Sequence, residues 1–559
     1  MTSCHPTRRQ ALSWAAVVAA TPMLSLALDQ ERAYGAPVGP VVPMDLELVT
    51  LTETSVIVTW YTGDSGTMDG FGRLAPAPAD TELLMGTSPA TMKQVLHDTT
   101  ATPYHYAEIN GLEPGQTYFY SARSGGVPAA PTKSFAGNPV GTSGPSTLGG
   151  GPFIFTTPQP PPGRYLFSLA LCNDLHFGET TAGLITSSGG GLPPGFKQLP
   201  GRPPYPEVMT QALVTDTKAR GTNFLLAAGD LTSEAEPAEV TRAKAVLNRF
   251  GELDRDWFVA RGNHDRPHAG AKWAECDPGK FEGTRDCFRD EFYPGQPGWF
   301  SEDINGLRLL GIDTYDKAGN GGDNGGLSAT QWDFVTKTLK DDPDRPTLVF
   351  GHHPVTPEAS ATSVPPLTFA IEAEQAQQLE DMYAASPGVF LHHAGHTHRN
   401  RRTIGLTASG VVFQEVAAVK EYPGGFTLVR VHEGGYAMNF YKTRSELAKE
   451  WSERTRQEYL GLVPYYVFGT IADRNSVVAR DFSGLRPVRG PGSRPAAPVR
   501  PSRPAPGGRL AATGPSEVLG VAAAAAVTAS LAVRQSLRHE GVVGAGDVVG
   551  EGPADLEAR

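Results

Sequence analysis

The sequence is short of cysteine, with four in 559 residues. So few thiols argue against a cysteine-based zinc site, and a chain this long can bury a core without disulfide staples. Positive charge is also in deficit: 48 Lys and Arg stand against 59 Asp and Glu, giving a net charge of -11 and a pI near 5.7. That balance argues against nonspecific binding to nucleic acid or to an anionic membrane, and no nucleic-acid-binding patch is evident. Glycine (64) and proline (48) are plentiful, yet no Gly-x-y period appears, so they mark loops and linkers. Of the cysteines, Cys276 and Cys287 are spaced for a loop-closing disulfide in an oxidising compartment. Cys172 ends an apolar strand and reads as buried and free, and Cys4 lies in the leading segment.

Several segments follow one another. Residues 1–36 carry Arg8-Arg9, an apolar run from Ala11 to Leu28 and small residues at Ala33-Tyr34-Gly35-Ala36, the layout of an export signal that resembles the twin-arginine type. That resemblance implies passage across a membrane in the folded, metal-loaded state. Residues 41–157 read as an all-β sandwich, with alternation in Ser55-Val56-Ile57-Val58-Thr59-Trp60 and Tyr118-Phe119-Tyr120-Ser121 between turn residues. Gly111-Leu112-Glu113-Pro114-Gly115-Gln116-Thr117-Tyr118-Phe119-Tyr120 resembles fibronectin type III domains and the similar domain that precedes the catalytic domain of purple acid phosphatases. The implied role is packing or spacing.

Residues 165–442 alternate short apolar strands with helical segments, an α/β pattern. Helices are expected over Pro206–Arg220, stopped by Gly221, and Ser328–Leu339, where Ser328 and Gln331 have capping-box spacing. Inserts at Glu179–Tyr205 and Val355–Leu367 leave from strand ends and should overhang a site as loops. Residues 443–485 read as a polar, partly helical extension and 486–509 as a Pro/Arg/Ala/Gly linker.

The chemistry lies where five apolar runs end in polar residues. Leu166 to Cys172 leads into Asn173-Asp174-Leu175-His176, Phe224 to Ala228 into Gly229-Asp230, and Trp257 to Ala260 into Arg261-Gly262-Asn263-His264-Asp265. Thr347 to Phe350 leads into Gly351-His352-His353-Pro354, and Val389 to Leu391 into His392-His393-Ala394-Gly395-His396-Thr397-His398-Arg399. In open α/β sheets, sites gather beyond the carboxyl ends of strands, so patches distant in sequence can converge. Imidazoles two residues apart in extended backbone can face one pocket, which suggests a metal.

This ordered set, Asp-x-His, Gly-Asp, Gly-Asn-His-Asp, Gly-His-His-Pro and Gly-His-x-His, resembles the calcineurin-like metallophosphoesterases over residues 165–442. The resemblance implies a four-layer α/β sandwich with two divalent or trivalent metal ions, Mn, Fe or Zn. Asp174, His176 and His398 would hold one ion, Asn263, His352 and His396 the other, and Asp230 would bridge them. A hydroxide shared by two cations about 3.5–4 Å apart would attack the phosphorus. His264 would be general acid or transition-state stabiliser, in contact with substrate. Asp265 either orients the His264 ring or anchors its loop. His353 would stand behind the ligand His352, close to substrate, while His392 and His393 read as packing. Arg399, Arg401 and Arg402 either clamp phosphate oxygens, Arg399 foremost, or form a solvated edge. One departure from purple acid phosphatases stands out: their ferric-ion tyrosine is replaced here by Ser233, and His176 takes the vacant place.

The expected activity is hydrolysis of a small-molecule phosphoric ester, with monoester, diester and nucleotide left open. The alternative is a wall-displayed binding protein with a structural metal site. Residues 510–540 hold Leu510-Ala511-Ala512-Thr513-Gly514, an apolar run from Val518 to Val533 and then Arg534, Arg538 and His539, which resembles a sortase sorting signal. That resemblance implies sortase and peptidoglycan as partners and an exported enzyme, free outside the cell or anchored to the wall.

Overall fold

The computed structural model describes residues 39–67, 74–131, 151–183, 195–316, 323–363, 370–458 and 464–488. The export-type segment, the linker beyond Val488 and the sorting-type tail lie outside these. Among the described residues no helix is long and apolar enough to cross a membrane.

The N-terminal part is a sandwich of two antiparallel sheets. In one, Ser55–Asp64 pairs with Val41–Leu51, Ala75–Pro76 and Tyr104–Asn110; the other holds Ala79–Gly86, Lys93–Thr102, Thr117–Ser124, Val127–Pro128 and Phe153–Thr156. Side chains two apart share a strand face, so Val56, Val58 and Trp60 turn inward with Leu46 and Leu48 against Leu83, Met85, Tyr120 and Phe155. The opposite parity does not face water. Val49 and Ile57 pack into the core of the α/β part, so the Ser55–Asp64 strand is buried on both faces.

Polar contacts, buried around Glu47 and half-buried at Glu53 and Glu108, add direction to that junction. Glu47 pairs with Lys442 at 2.5 Å and Arg456 at 3.3 Å and accepts from the Tyr422 hydroxyl at 2.5 Å. Arg430 grips Glu53 with both terminal nitrogens, at 2.6 and 2.7 Å, and Arg220 holds Glu108 at 3.0 and 3.1 Å. Removing one partner of a buried pair typically costs about 3–5 kcal/mol, because the other charge is stranded. The Glu47 cluster therefore contributes most to holding the sandwich in one orientation, and the half-buried pairs add to it.

The α/β part holds two six-stranded sheets. The first runs Trp257–Ala260, Phe224–Ala228, Tyr165–Cys172, Gly425–His432, Gly435–Lys442 and Asn475–Ala479; the second runs Phe300–Ile304, Leu307–Gly311, Thr347–Phe350, Val389–Ala394, Val412–Glu415 and Arg401–Ile404. Parity again sorts the side chains: Leu309, Leu348 and Phe350 join the core shared with the first sheet. Leu310 and Val349 pack instead with Val335 and Leu339 of helix Ala329–Asp341 and Leu379 of helix Ala373–Ala384. Met209 and Leu213 of helix Tyr205–Ala219, with Val240 and Leu247 of helix Pro237–Leu247, cover the first sheet. The order is helix, sheet, sheet, helix, the expected four layers.

Two details differ from the sequence reading. The stretch after Lys442 adds the strand Asn475–Ala479 to the first sheet and packs Trp451 in the core. Ser328 caps its helix by accepting from Gln331 N at 3.4 Å, but Gln331 does not reach back. Its amide instead brackets Asp313, accepting from Asp313 N and donating to Asp313 O, both at 2.8 Å. Cys276 and Cys287 form the expected disulfide, and Cys172 is buried and free.

Candidate metal centre

Tyr165–Cys172, Phe224–Ala228 and Trp257–Ala260 run parallel, as do Thr347–Phe350 and Val389–Ala394, so their carboxyl ends bring all five motifs together. Asp174, His176 and His398 place ligand-type atoms within 4.8 Å of one another, as do Asp230, His352 and His396, and also His176, Asp230 and His264. His398 Nε2 lies 3.1 Å from Asp174 Oδ1, and His176 Nε2 lies 3.7 Å from the same oxygen. On the other side His352 Nε2 is 3.1 Å from Asn263 Oδ1 and 3.0 Å from His396 Nδ1. Asp230 Oδ2 stands between the groups, 3.1 Å from His352 Nε2 and 3.6 Å from His176 Nε2.

The backbone is bent to achieve this. Asp174, His176, Asp230, His396 and His398 all have φ between 48° and 67°, the left-handed region that non-glycine residues seldom adopt. Each such residue costs on the order of 1–3 kcal/mol, so its surroundings must hold it there. Gly395 is needed for close approach, since a Cβ there would sit 2.6 Å from Asn173 Cβ and 2.8 Å from Asp174 Oδ2. At Gly262 it would fall 2.1 Å from Asp230 Oδ1.

The outer nitrogens of His176, His398 and His352 are engaged. His176 Nδ1 faces Glu179 Oε2 at 3.0 Å, His398 Nδ1 faces Glu421 Oε1 at 2.6 Å, and His352 Nδ1 donates to Ala228 O at 2.8 Å. A proton on Nδ1 leaves a lone pair on Nε2. Those lone pairs point at carboxylate and amide oxygens: His176 Nε2 is buried with no hydrogen-bond partner. Acceptors converging on acceptors in a buried space repel unless a proton or a cation lies between them, so the donor set fits a pair of metal ions. In their absence protons take that place. Burial works against it, but the Asp230 carboxylate takes His352 up to about 9, and Asp174 and Glu421 likewise hold His398 well above its ordinary value. His396 is pushed down by burial and by the neighbouring His353 and His352.

His264 N donates to Asp230 Oδ1 at 2.8 Å, and its Nδ1 donates to Ser233 O at 2.8 Å. Its ring lies 4.6 Å from that of His176, which leaves Nε2 facing the centre. The carbonyl of Ser233 thus orients this ring. Asp265 does not: its carboxylate accepts from the backbone of Leu231, Thr232 and Gly262 and from the Thr232 hydroxyl at 2.7–3.2 Å. Of the two readings of Asp265, these contacts are those of the loop anchor, and they tie the Asp230 loop to the Asn263 loop.

Arg399 is the second correction. It is 3% exposed, grips both oxygens of Glu415 at 2.8 and 3.0 Å, and donates to Thr362 O at 2.9 Å. A guanidinium so committed cannot clamp a phosphate. Arg401 pairs with Glu358 instead. His353 is wholly buried, shares a 2.7 Å hydrogen bond with Thr314 Oγ1 and lies 4.4 Å, ring to ring, from His396, so it backs the centre. Burial and the neighbouring His352 push it down to about 3, which keeps it neutral. His392 and His393 pack as expected, on Tyr383 and on the carbonyls of Gln414 and Cys172. Glu179, Lys420 and Glu421 were not anticipated. Only Glu179, three residues after His176, gave any local signal.

The model of the calcineurin-like phosphoesterases matches residues 167–400, and that of the purple acid phosphatase N-terminal domain matches residues 42–136. The α/β part is thus similar to the calcineurin-like phosphoesterases. A probable cyclic nucleotide phosphodiesterase of Synechococcus sp. is 29% identical over 143 residues, 26% of this chain and 47% of that protein, so the match spans about half the relative's length. Among solved structures, a dimetal phosphatase from Danio rerio is 14% identical, with a TM-score of 0.37 over 50% of this chain and 98% of that one. A purple acid phosphatase from yellow lupin seeds is also 14% identical, with a TM-score of 0.34 over 82% and 79%. The phosphoesterase family carries a dinuclear metal site, and the groups around Asp230 supply candidate ligands for it.

Proposed function

We propose that this chain is an exported hydrolase of phosphoric esters that uses two metal ions. Asp174, His176 and His398 would hold one, Asn263, His352 and His396 the other, with Asp230 within reach of both groups. The observation that carries the reading is Asp230 Oδ2, within 3.6 Å of an imidazole nitrogen from each group. When bound, a cation pair supplies Lewis-acid polarisation of a phosphoryl oxygen and acidifies the attacking water. Mixed carboxylate, amide and imidazole donors suit Mn, Fe or Zn. His264, its Nδ1 fixed on Ser233, presents Nε2 to hold a phosphate oxygen or to protonate the leaving oxygen.

A diester is the favoured substrate on one observation, the likeness to a probable cyclic nucleotide phosphodiesterase. The test is turnover of a panel of monoesters, diesters and nucleotides by the full chain reconstituted with Mn, Fe or Zn. Turnover of diesters above monoesters supports this reading. A chain that binds two metals and hydrolyses nothing favours a binding protein.

Export and attachment to the wall rest on residues 1–36 and 510–540. Mass spectrometry of wall fragments released by muramidase should find the chain ending at Thr513 and joined to peptidoglycan. An intact Arg559 terminus on soluble culture protein would refute anchoring.

A further inference from the structure

Behind the Asp174 group lies a buried ammonium. Lys420 Nζ donates to both oxygens of Glu179, at 2.8 and 2.6 Å, and lies 3.5 Å from Glu421 Oε2. Those two carboxylates receive the Nδ1 atoms of His176 and His398. One lysine therefore connects, through two acids, to two imidazoles whose Nε2 atoms converge on Asp174 Oδ1. Its main chain is fixed as well: Lys420 N donates to Asp174 O at 3.2 Å, and Lys420 O accepts from Trp451 Nε1 at 2.8 Å. No such arrangement serves His352, whose Nδ1 goes to a backbone carbonyl.

A carboxylate that accepts Nδ1–H fixes both the tautomer and the ring orientation of a metal-ligating histidine. Glu179 and Glu421 could do this only while their own charges are paired. Without the ammonium, two carboxylates would stand unpaired in a water-poor shell, a strongly unfavourable state relieved by turning away from the imidazoles. We propose that Lys420 is a positioning residue for one half of the metal centre, pinning Glu179 and Glu421 so that His176 and His398 both present Nε2 to one ion. This rests on the dinuclear reading above.

The experiment is zinc counting on the full chain, stripped with chelator and dialysed against buffered free zinc, for the parent, Lys420→Met and Lys420→Arg. Loss of such an outer partner typically weakens metal affinity about 10–100-fold. Lys420→Met should therefore hold one zinc per chain at a free concentration where the parent holds two, and Lys420→Arg should recover the second. Loss of both zincs together, or of neither, overturns the proposal. If Lys420→Met does not fold, as judged by thermal melting, Glu179→Gln is read against the same outcomes. A parent that holds fewer than two zincs overturns the dinuclear reading itself, and the role of Lys420 with it.

Discussion

The two halves of the centre differ in what stands behind their imidazoles. Glu179 and Glu421 back His176 and His398, with Lys420 between them, whereas His352 is backed by the carbonyl of Ala228. The inner ligands differ in the same sense, with Asp174 on one side and the neutral Asn263 on the other. Under the dinuclear reading, one half surrounds its ion with more negative charge and makes its imidazoles stronger donors. The other half depends on Asp230, the carboxylate within reach of both. One family of ligands can thus bind two ions unequally, and the inequality lies largely outside the set that touches metal.

The largest effect should come from removing what the halves share. Asp230→Asn takes away a charge that faces His352 and His176 at once. Elemental analysis should show metal lost from both positions, and turnover of a chromogenic phosphate ester should fall by more than the roughly 10⁴-fold that bounds loss of a general acid. Normal metal content with retained turnover would sink the shared role.

His264→Ala tests a group that faces both halves and ligates neither in this reading. Both metals should stay, and turnover should fall by roughly 10²–10⁴. Esters with good leaving groups should suffer less if the ring donates a proton. Equal losses for good and poor leaving groups would assign it to phosphate binding.

A smaller effect sharpens the comparison directly. Glu421→Gln removes the charged acceptor behind His398 and should cost about 10–100-fold in metal affinity at that half. Asp323→Asn is the counterpart, because Asp323 Oδ1 accepts from Asn263 Nδ2 at 3.2 Å on the neutral side. It should change affinity by less, since its partner is a neutral amide and not an imidazole whose basicity a carboxylate raises. Isothermal titration of stripped protein with zinc would rank the two, and the reverse ranking would remove the asymmetry.

The inner residues were legible because each sits in a short motif at a strand end, where a local pattern reports the local geometry. Asp174, His176, Asp230, Asn263, His352, His396 and His398 all come together on that basis. The outer partners were not legible because they are non-local. Glu421 lies 23 residues beyond His398, in a loop with no motif of its own. Arg399 stood out as basic, but its partner Glu415 belongs to the neighbouring strand, and only sheet pairing reveals that the charge is spent. The left-handed backbone at five candidate ligand positions was hidden too. None of the five is glycine, and contacts such as those of Asp265 with the loops around Asp230, distant in sequence, hold them there.

The smallest effect is on stability, and its sign separates proton from metal. In the metal-free chain burial lowers His352, yet the Asp230 carboxylate outweighs it and raises the ring to about 9. A raised histidine contributes stability that is fully present below its unfolded value, near 6.5, and lost as pH rises through the folded one. Chelator-stripped protein should therefore lose Tm between about pH 6.5 and 9, at roughly 2–4 °C per kcal/mol for a domain of this size. His176 and His398 are also raised and add the same sign, so His352→Gln should flatten the slope only in part. A cation held by these residues would take over the proton's role, and the slope should shrink in the metal-loaded parent chain. Calorimetric scans from pH 6 to 9.5, with and without chelator, would decide it. An equal slope in the loaded and stripped chains would mean that these imidazoles do not exchange protons for metal.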